Sequence, residues 1–362
     1  MSKSKLYDVL ILGGGPAGLT SALVLARLHR TTAIFTAPTY RNDGAAHSHG
    51  LLSRDHVPPA ELRAQGRNDL ERYKTIEFFE NSPITSIVRQ GSDSRAYFVA
   101  KNDSQQEWRG RAVILATGIR DELPDLPGYK ENWPESIYQC PVCDGHERYD
   151  GPVGILNIEF NSLVSRHMTT TLHFLSQPVG TSVEDSLTRK SNLTLFTNGP
   201  LDTSNAAVTE ILDICKAYRI TVDQRKVVRL EASEDPSKKP GLYVHLEPDG
   251  SNSELPTRVF QNFLLHKPRT TPNSPELLSQ LGLETASSPF GTYVAFTPPF
   301  NATKVPGIFV AGDAGAMHTT LTLALSSAGL AAAGAMQFVN DLDDKIALEA
   351  LKTKENGSVK EL

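Results

Sequence analysis

The turn Gly13-Gly14-Gly15-Pro16-Ala17-Gly18 constrains the fold more than any other stretch of this chain. Before it, Tyr7–Leu12 reads as a short apolar strand, Asp8 aside. After it a helix runs to about Arg30, and Thr32–Thr36 reads as a second strand. A G-x-G-x-x-G turn in that position opens the β-α-β of a Rossmann-type unit. Gly13 permits the tight turn, Gly15 lets backbone approach a pyrophosphate, and Gly18 lets the helix pack on the strand. The phosphates are expected on the helix N-terminus, so the whole turn, Gly14 and Pro16 included, is a candidate dinucleotide site. The acidic residue that usually ends the second strand is missing. Thr36 stands in its place, and a hydroxyl bonds a ribose less strongly than a carboxylate does.

Two later strands end in turns of their own. Arg111–Leu115 runs into Ala116-Thr117-Gly118, and Gly307–Ala311 runs into Gly312-Asp313 ahead of an alanine-rich helix from about Leu321 to Val339. Between Thr117 and about Val259 the chain leaves the first domain, with Phe260–His266 as the expected returning strand. Within that excursion Val153–Ile158, a helix around Leu163–Leu175 and Leu193–Thr197 make a second β-α-β. The expected fold class is α/β, with two Rossmann-like nucleotide-binding domains, the second inserted in the first. Residues 1–119 and 262–345 would form one domain, 120–261 the other, and 346–362 a charged tail.

Two of the three cysteines stand two residues apart in Cys140-Pro141-Val142-Cys143-Asp144-Gly145. Such a pair closes a small disulfide, supplies half of a zinc site, or holds two thiols whose pKa values are pushed apart. Zinc needs about four ligands, and the remaining cysteine, Cys215, lies far along the chain in a helix-like stretch. A redox pair is the better reading, and no metal site is read from the sequence.

The charge balance, 36 basic against 41 acidic residues for a formal −5 over 362 residues, with no basic run, points away from nucleic acid and from a membrane surface. No apolar run of membrane-span length and no secretory signal are read. The cytosol is the expected compartment, where a close cysteine pair is more often catalytic than structural.

In order along the chain, the glycine turn, Ala116-Thr117-Gly118 and Gly312-Asp313 match the three FAD-contact motifs of the two-domain flavoprotein disulfide reductases. With Cys140-x-x-Cys143-Asp144-Gly145 in the inserted domain, the chain resembles the low-molecular-weight thioredoxin reductase family over nearly its whole length. The resemblance implies FAD as cofactor, with Asp313 on its ribityl chain, and a homodimer. It also implies that Cys140 exchanges with substrate, Cys143 faces the flavin and Asp144 shuttles a proton.

Reductases of that family carry a second glycine turn in the inserted domain and a basic cluster after the next strand. Here Val153-Gly154-Ile155-Leu156 continues into Asn157-Ile158-Glu159-Phe160-Asn161, and Thr197-Asn198-Gly199-Pro200 stands where the cluster would be. Arg166 and His167 lie on the intervening helix, off the motif position. This combination is similar to the fungal dithiol oxidases that close the disulfide of gliotoxin-type epipolythiodioxopiperazines. Those enzymes share an arrangement like Tyr40-Arg41-Asn42, a histidine pair like His47 and His49, and a segment like Pro59–Ala64. The resemblance implies that Thr36 to Arg41 line the adenosine half of FAD and that His49 lies near the flavin. It further implies a small-molecule dithiol as substrate and molecular oxygen as electron acceptor, with release of hydrogen peroxide. His47 and His49 could equally be surface loop residues.

The base for the substrate thiol has three candidates. Asp144 follows from the family, His146 from the neutral titration range of imidazole, and His318 from its place after the Gly-Asp turn. Two other functions stay open: an NADPH-dependent disulfide reductase with an unusual cofactor site, and a non-catalytic flavoprotein sensor that keeps FAD without dithiol turnover.

Overall fold

The computed structural model describes residues 5–158, 162–234, 241–250 and 254–358, which fall into two compact units. Glu159, Phe160 and Asn161 lie outside the described residues.

The first unit comprises residues 1–43, 59–120 and 270–362. Its main sheet runs in the order Ile76–Phe79, Thr32–Phe35, Leu6–Leu12, Glu107–Leu115, Tyr97–Asn102, Ile84–Gln90, with Ile308–Val310 also paired to Glu107–Leu115. The central strands are parallel and covered on both faces, so they read as nearly continuous apolar runs. Val9, Ile11, Ile34, Ala112 and Ile114 face one core, while Leu10, Leu12, Phe35, Val113 and Leu115 face the other. Register places Leu12 beside both Phe35 and Leu115, Phe35 beside Phe79, and Leu115 beside Val310. Five strands therefore end level. The turns that follow them lie along one sheet edge, the carboxyl edge where open α/β sheets bind ligands.

The helix Pro16–Arg27 crosses under a single long helix, Leu321–Ser358. Ala328, Ala331, Ala332, Ala335 and Val339 are buried. They form a stripe of small residues at helical spacing that lets the two helices approach closely. Ser21 Oγ donates to the Ala328 carbonyl at 3.1 Å across that contact. The alanine-rich helix expected to Val339 and the charged terminal helix expected from Asp341 are one continuous helix. It continues because Asp343 is held by Arg30 (2.9 Å) and Arg111 (2.6 Å). Its first part is long and apolar enough, by length and composition, to cross a membrane, contrary to the reading of the sequence. The alanine stripe nevertheless lies in the core of this unit.

The second unit comprises residues 44–58 and 121–269. Its parallel sheet has the order Thr221–Asp223, Leu193–Phe196, Val153–Leu156, Phe263–Leu265, Ile137–Tyr138. Beside it stands an antiparallel sheet of Val227–Ala232, Leu242–Leu246 and Arg258–Gln261. Two boundaries differ from those expected. Phe263–Leu265 pairs with Val153–Leu156 and fills this unit's core, so the return to the first unit comes at Thr270. The segment Gly44–Pro58 also groups here rather than with the 1–119 stretch.

Behind this sheet, His266 Nδ1 and the Tyr129 hydroxyl share a 2.6 Å hydrogen bond. Burial pushes the His266 imidazole down to about 4. An unfolded histidine takes up a proton near pH 6.5, whereas this one stays neutral in the folded state until about pH 4. The folded state thus binds fewer protons, and its stability is full above pH 6.5 and falls as pH drops toward 4. The expected loss is up to about 3 kcal/mol. Urea unfolding at pH 7 and at pH 4.5 measures it, and His266→Asn flattens the difference. An unchanged pH dependence in that variant would remove His266 as the cause.

Candidate active site

The dinucleotide turn is built as the glycines require. Gly13 has φ +121°, and a Cβ there would lie 2.2 Å from the Ala116 carbonyl oxygen, so this turn and Ala116-Thr117-Gly118 are in direct contact. A Cβ on Gly18 would lie 1.9 Å from the Gly13 carbonyl oxygen, which is the close strand–helix approach expected of it. Gly15 differs: a Cβ there meets only the Tyr40 ring, at 3.9 Å. Gly15 also caps the helix Pro16–Arg27 without any side-chain cap. The first-turn N–H groups thus face open space, the arrangement that holds a pyrophosphate.

Gly312 and Asp313 reach the same place from the far end of the chain. A Cβ on Gly312 would lie 2.7 Å from Cβ of Ala17, and the Gly312 N–H donates to Ser327 Oγ at 2.7 Å. Arg41 Nη1 lies 3.2 Å from Asp313 Oδ2. The loop that carries Arg41 is shaped by Arg63, whose guanidinium covers the Tyr40 ring at 4.0 Å and donates to Asn42 (3.1 Å) and Asp43 (2.9 Å). Gly14, Pro16, Gly118 and the other expected cofactor residues of this unit sit along the same edge. An open cradle at a helix N-terminus, beside a Gly-Asp turn, fits FAD.

Thr36 is buried, and its hydroxyl donates to Glu80 Oε2 at 2.8 Å while accepting from the Asn81 N–H at 3.0 Å. The acidic group missing from the end of the second strand therefore arrives from the end of the next one, where Arg67 pairs with it. Sequence reading missed Glu80. The available signal was an acid following the strand-like Ile76-Glu77-Phe78-Phe79, one strand further along.

In the second unit Cys140 immediately precedes the one-turn helix Pro141–Asp144, and neither Cys140 nor Cys143 is disulfide-bonded. A hydrogen bond from the Cys143 thiol brings the Cys140 thiol down to about 7. The backbone N–H groups of Val142 and Cys143 and the charge of Lys267 assist, against the opposing effect of burial. This makes Cys140 readily ionised at neutral pH. Cys215 is its opposite: buried in the core, its thiol is pushed up to about 12. Burial raises Asp144, while His49 and His47 pull it down and Glu147 reinforces the rise. Arg148 braces the segment through the Tyr138 hydroxyl (2.6 Å) and the Glu135 carbonyl (2.7 Å).

The histidines separate. His47 and His49 lie in this unit, close enough to Asp144 to influence it. They cluster with His56, which the sequence did not single out. His146 is exposed, tilted against Tyr149 at 5.8 Å, and lines a separate cleft of about 190 Å³ with Phe174 and Pro178. His318 is exposed in the first unit, its ring 5.5 Å from that of Phe290.

Known proteins are similar to this chain over nearly its whole length. Residues 7–164 match the pyridine nucleotide-disulphide oxidoreductase family. Thioredoxin reductase aclD of Aspergillus oryzae is 34% identical over 335 residues, covering 91% of this chain and 95% of the relative. Thioredoxin reductase sirT of Leptosphaeria maculans is 32% identical, covering 92% and 94%. The chain belongs to the thioredoxin reductase family. Among solved structures, HlmI is similar with a TM-score of 0.77 at 29% identity over 97% of both chains. An oxidoreductase from Agrobacterium tumefaciens has a TM-score of 0.75 at 26% identity, over 92% of this chain and 98% of that one. This family membership and the open glycine cradle agree on FAD as the cofactor.

In the second unit the residues at the ends of the parallel strands are largely engaged within the protein. Gly154 is required by packing, since a Cβ there would meet Leu264 at 2.6 Å. Asn157, where the strand Val153–Leu156 ends, is buried. After Leu193–Phe196, Thr197 donates to the Gly199 carbonyl at 2.6 Å and Asn198 accepts from the Val227 N–H at 2.9 Å. Arg225, just beyond the adjacent strand Thr221–Asp223, is held by both oxygens of Asp223, at 3.0 and 2.6 Å. Arg166 is paired with Glu210 at 2.9 Å.

Proposed function

We propose that this chain is an FAD-dependent dithiol oxidase that closes an intramolecular disulfide in a small molecule, with dioxygen as final acceptor. The observation that carries the reading is the contrast between its two nucleotide sites. The first keeps an open phosphate cradle at Gly15, while the second has no glycine turn after Leu156 and its Arg225 is already paired with Asp223. The fungal relatives and the gliotoxin-type resemblance support an epipolythiodioxopiperazine-type dithiol as the substrate class. A cytosolic homodimer is the expected form.

The cycle begins with Cys140 and Cys143 as a disulfide. A substrate thiolate attacks Sγ of Cys140, forms a mixed disulfide and releases Cys143 as thiolate. The second substrate thiolate then attacks its own bound sulfur and leaves as the cyclic disulfide. The group released in that step is the Cys140 thiolate, which the backbone N–H groups of Val142 and Cys143 and the charge of Lys267 favour, and a low thiol pKa speeds departure. Asp144, raised by burial, holds and returns the thiol proton. His146 fits that role less well, because it lines a separate cleft with Phe174 and Pro178. FAD held at the Gly13–Gly18 turn and Asp313 would supply a two-electron acceptor for the Cys140 and Cys143 thiolates, with dioxygen as the final oxidant and one hydrogen peroxide formed per dithiol oxidised.

The test is oxygen uptake by the flavin-loaded protein with a reduced epidithiol-type dithiol and no nicotinamide present. The expected result is one oxygen consumed and one peroxide formed per disulfide. Anaerobic NADPH should leave the flavin yellow. Rapid bleaching by NADPH with no dithiol-driven oxygen uptake would establish the reductase instead.

A further inference from the structure

We propose that His47, His49 and His56 form a three-histidine site for a late first-row divalent cation, Zn²⁺ foremost, with its fourth position open. The backbone explains why these three rings meet. Ser48 makes an antiparallel bridge to Val57, with its N–H donating to the Val57 carbonyl at 2.7 Å and its carbonyl accepting from the His56 N–H at 2.9 Å. In an extended segment residues i and i+2 share a face. His47 and His49 therefore point the same way while Ser48 turns inward and is buried. His56, next to the bridge partner, brings the third ring across.

One ligand nitrogen from each ring lies within 4.8 Å of those of the other two. Zn–N bonds of about 2.0–2.1 Å place tetrahedral nitrogens about 3.3 Å apart, which side-chain rotation reaches from this cluster. The rings already crowd: those of His47 and His56 are stacked 4.0 Å apart and those of His49 and His56 are 5.0 Å apart.

The surroundings are acidic. Asp55 Oδ1 lies 3.7 Å from His49 Nδ1, and Glu147 Oε1 lies 3.9 Å from His56 Nδ1. A carboxylate on the second ring nitrogen orients a metal-bound imidazole and raises its basicity. Three imidazoles with supporting carboxylates and no thiolate suit zinc, nickel or copper far better than calcium or magnesium. The site is independent of the thiol-exchange reading and stands whether the chain is an oxidase or a reductase.

The experiment titrates tag-free, FAD-loaded protein with Zn²⁺ against a chromogenic chelator. Cys140 and Cys143 are kept as the disulfide so that thiolates do not compete. The expected result is one Zn²⁺ per chain, bound at least about a hundredfold more weakly by His56→Ala and by His47→Ala, at the upper end of what supporting-residue changes cost a metal site. His146→Ala and His318→Ala should bind as the parent does. No stoichiometric binding by the parent, or equal binding by His56→Ala, overturns the proposal. X-ray absorption of the zinc-loaded parent needs no variant: a nitrogen and oxygen shell supports the site, and sulfur in that shell overturns it.

Discussion

Reduced protein pulsed with iodoacetamide at pH 7 will be labelled at Cys140 and not at Cys215. A thiol at about 7 is roughly half thiolate at that pH, while one at about 12 is ionised in about one molecule in 10⁵, and only the thiolate reacts. Exposure works in the same direction, because Cys215 is 1% exposed in the core of the second unit. Labelling of Cys140, followed by peptide mass spectrometry, should rise with pH through a midpoint near 7. The sign follows from the deprotonated form being the reactive one, so acid protects and base exposes. Cys140→Ser should remove the fast phase and leave Cys215 silent until the protein is unfolded. A midpoint near that of an ordinary free cysteine would mean that the Cys143 hydrogen bond and the backbone N–H groups do not hold the thiolate.

The second large effect separates two glycines of the phosphate turn. Gly18→Val pushes a side chain into the Gly13 carbonyl, where even a Cβ has only 1.9 Å. The helix Pro16–Arg27 must then lift off its strand. Overpacking of this kind costs about 3 kcal/mol or more, so the variant should purify colourless and melt well below the parent. Gly15→Ala should behave differently. Its Cβ meets only Tyr40 at 3.9 Å, so the fold and its melting temperature should survive, while the methyl group takes space meant for the pyrophosphate. Flavin content and thermal melting of the two variants, measured side by side, check the assignment. A Gly15→Ala protein that holds FAD as tightly as the parent would remove the phosphates from that cradle.

These glycines were legible because their reason is local: a turn between a strand and a helix shows in six consecutive residues. The same holds for Cys140-x-x-Cys143, and for the strands Val153–Leu156 and Leu193–Phe196 with their apolar runs. What stayed hidden depends on partners distant in sequence. Glu80 reaches Thr36 only because Ile76–Phe79 pairs with Thr32–Phe35. His56 joins His47 and His49 only through the bridge between Ser48 and Val57. That the apolar and the charged helix on either side of Val339 are one is equally non-local, since Arg30 and Arg111 hold Asp343 from other elements. Phe263–Leu265 was placed on the wrong side of a boundary for a related reason. Three apolar residues suit either core, and only strand pairing decides between them.

The pair formed by Asp223 and Arg225 bears on how readily such a chain could change its electron donor. Had the inserted unit merely mislaid its glycines, one new basic side chain after Phe196 would begin a return toward nicotinamide use. Instead, Arg225 is gripped by both oxygens of its neighbour. Turning that guanidinium outward would leave the Asp223 carboxylate facing the phosphate it was meant to receive. Removing Asp223 alone would leave Arg225 with no glycine turn to bring a phosphate near. Each change is unfavourable without the other, so, on the oxidase reading proposed above, single substitutions do not create nicotinamide use. An engineered route has to alter both residues and the turn after Leu156 together.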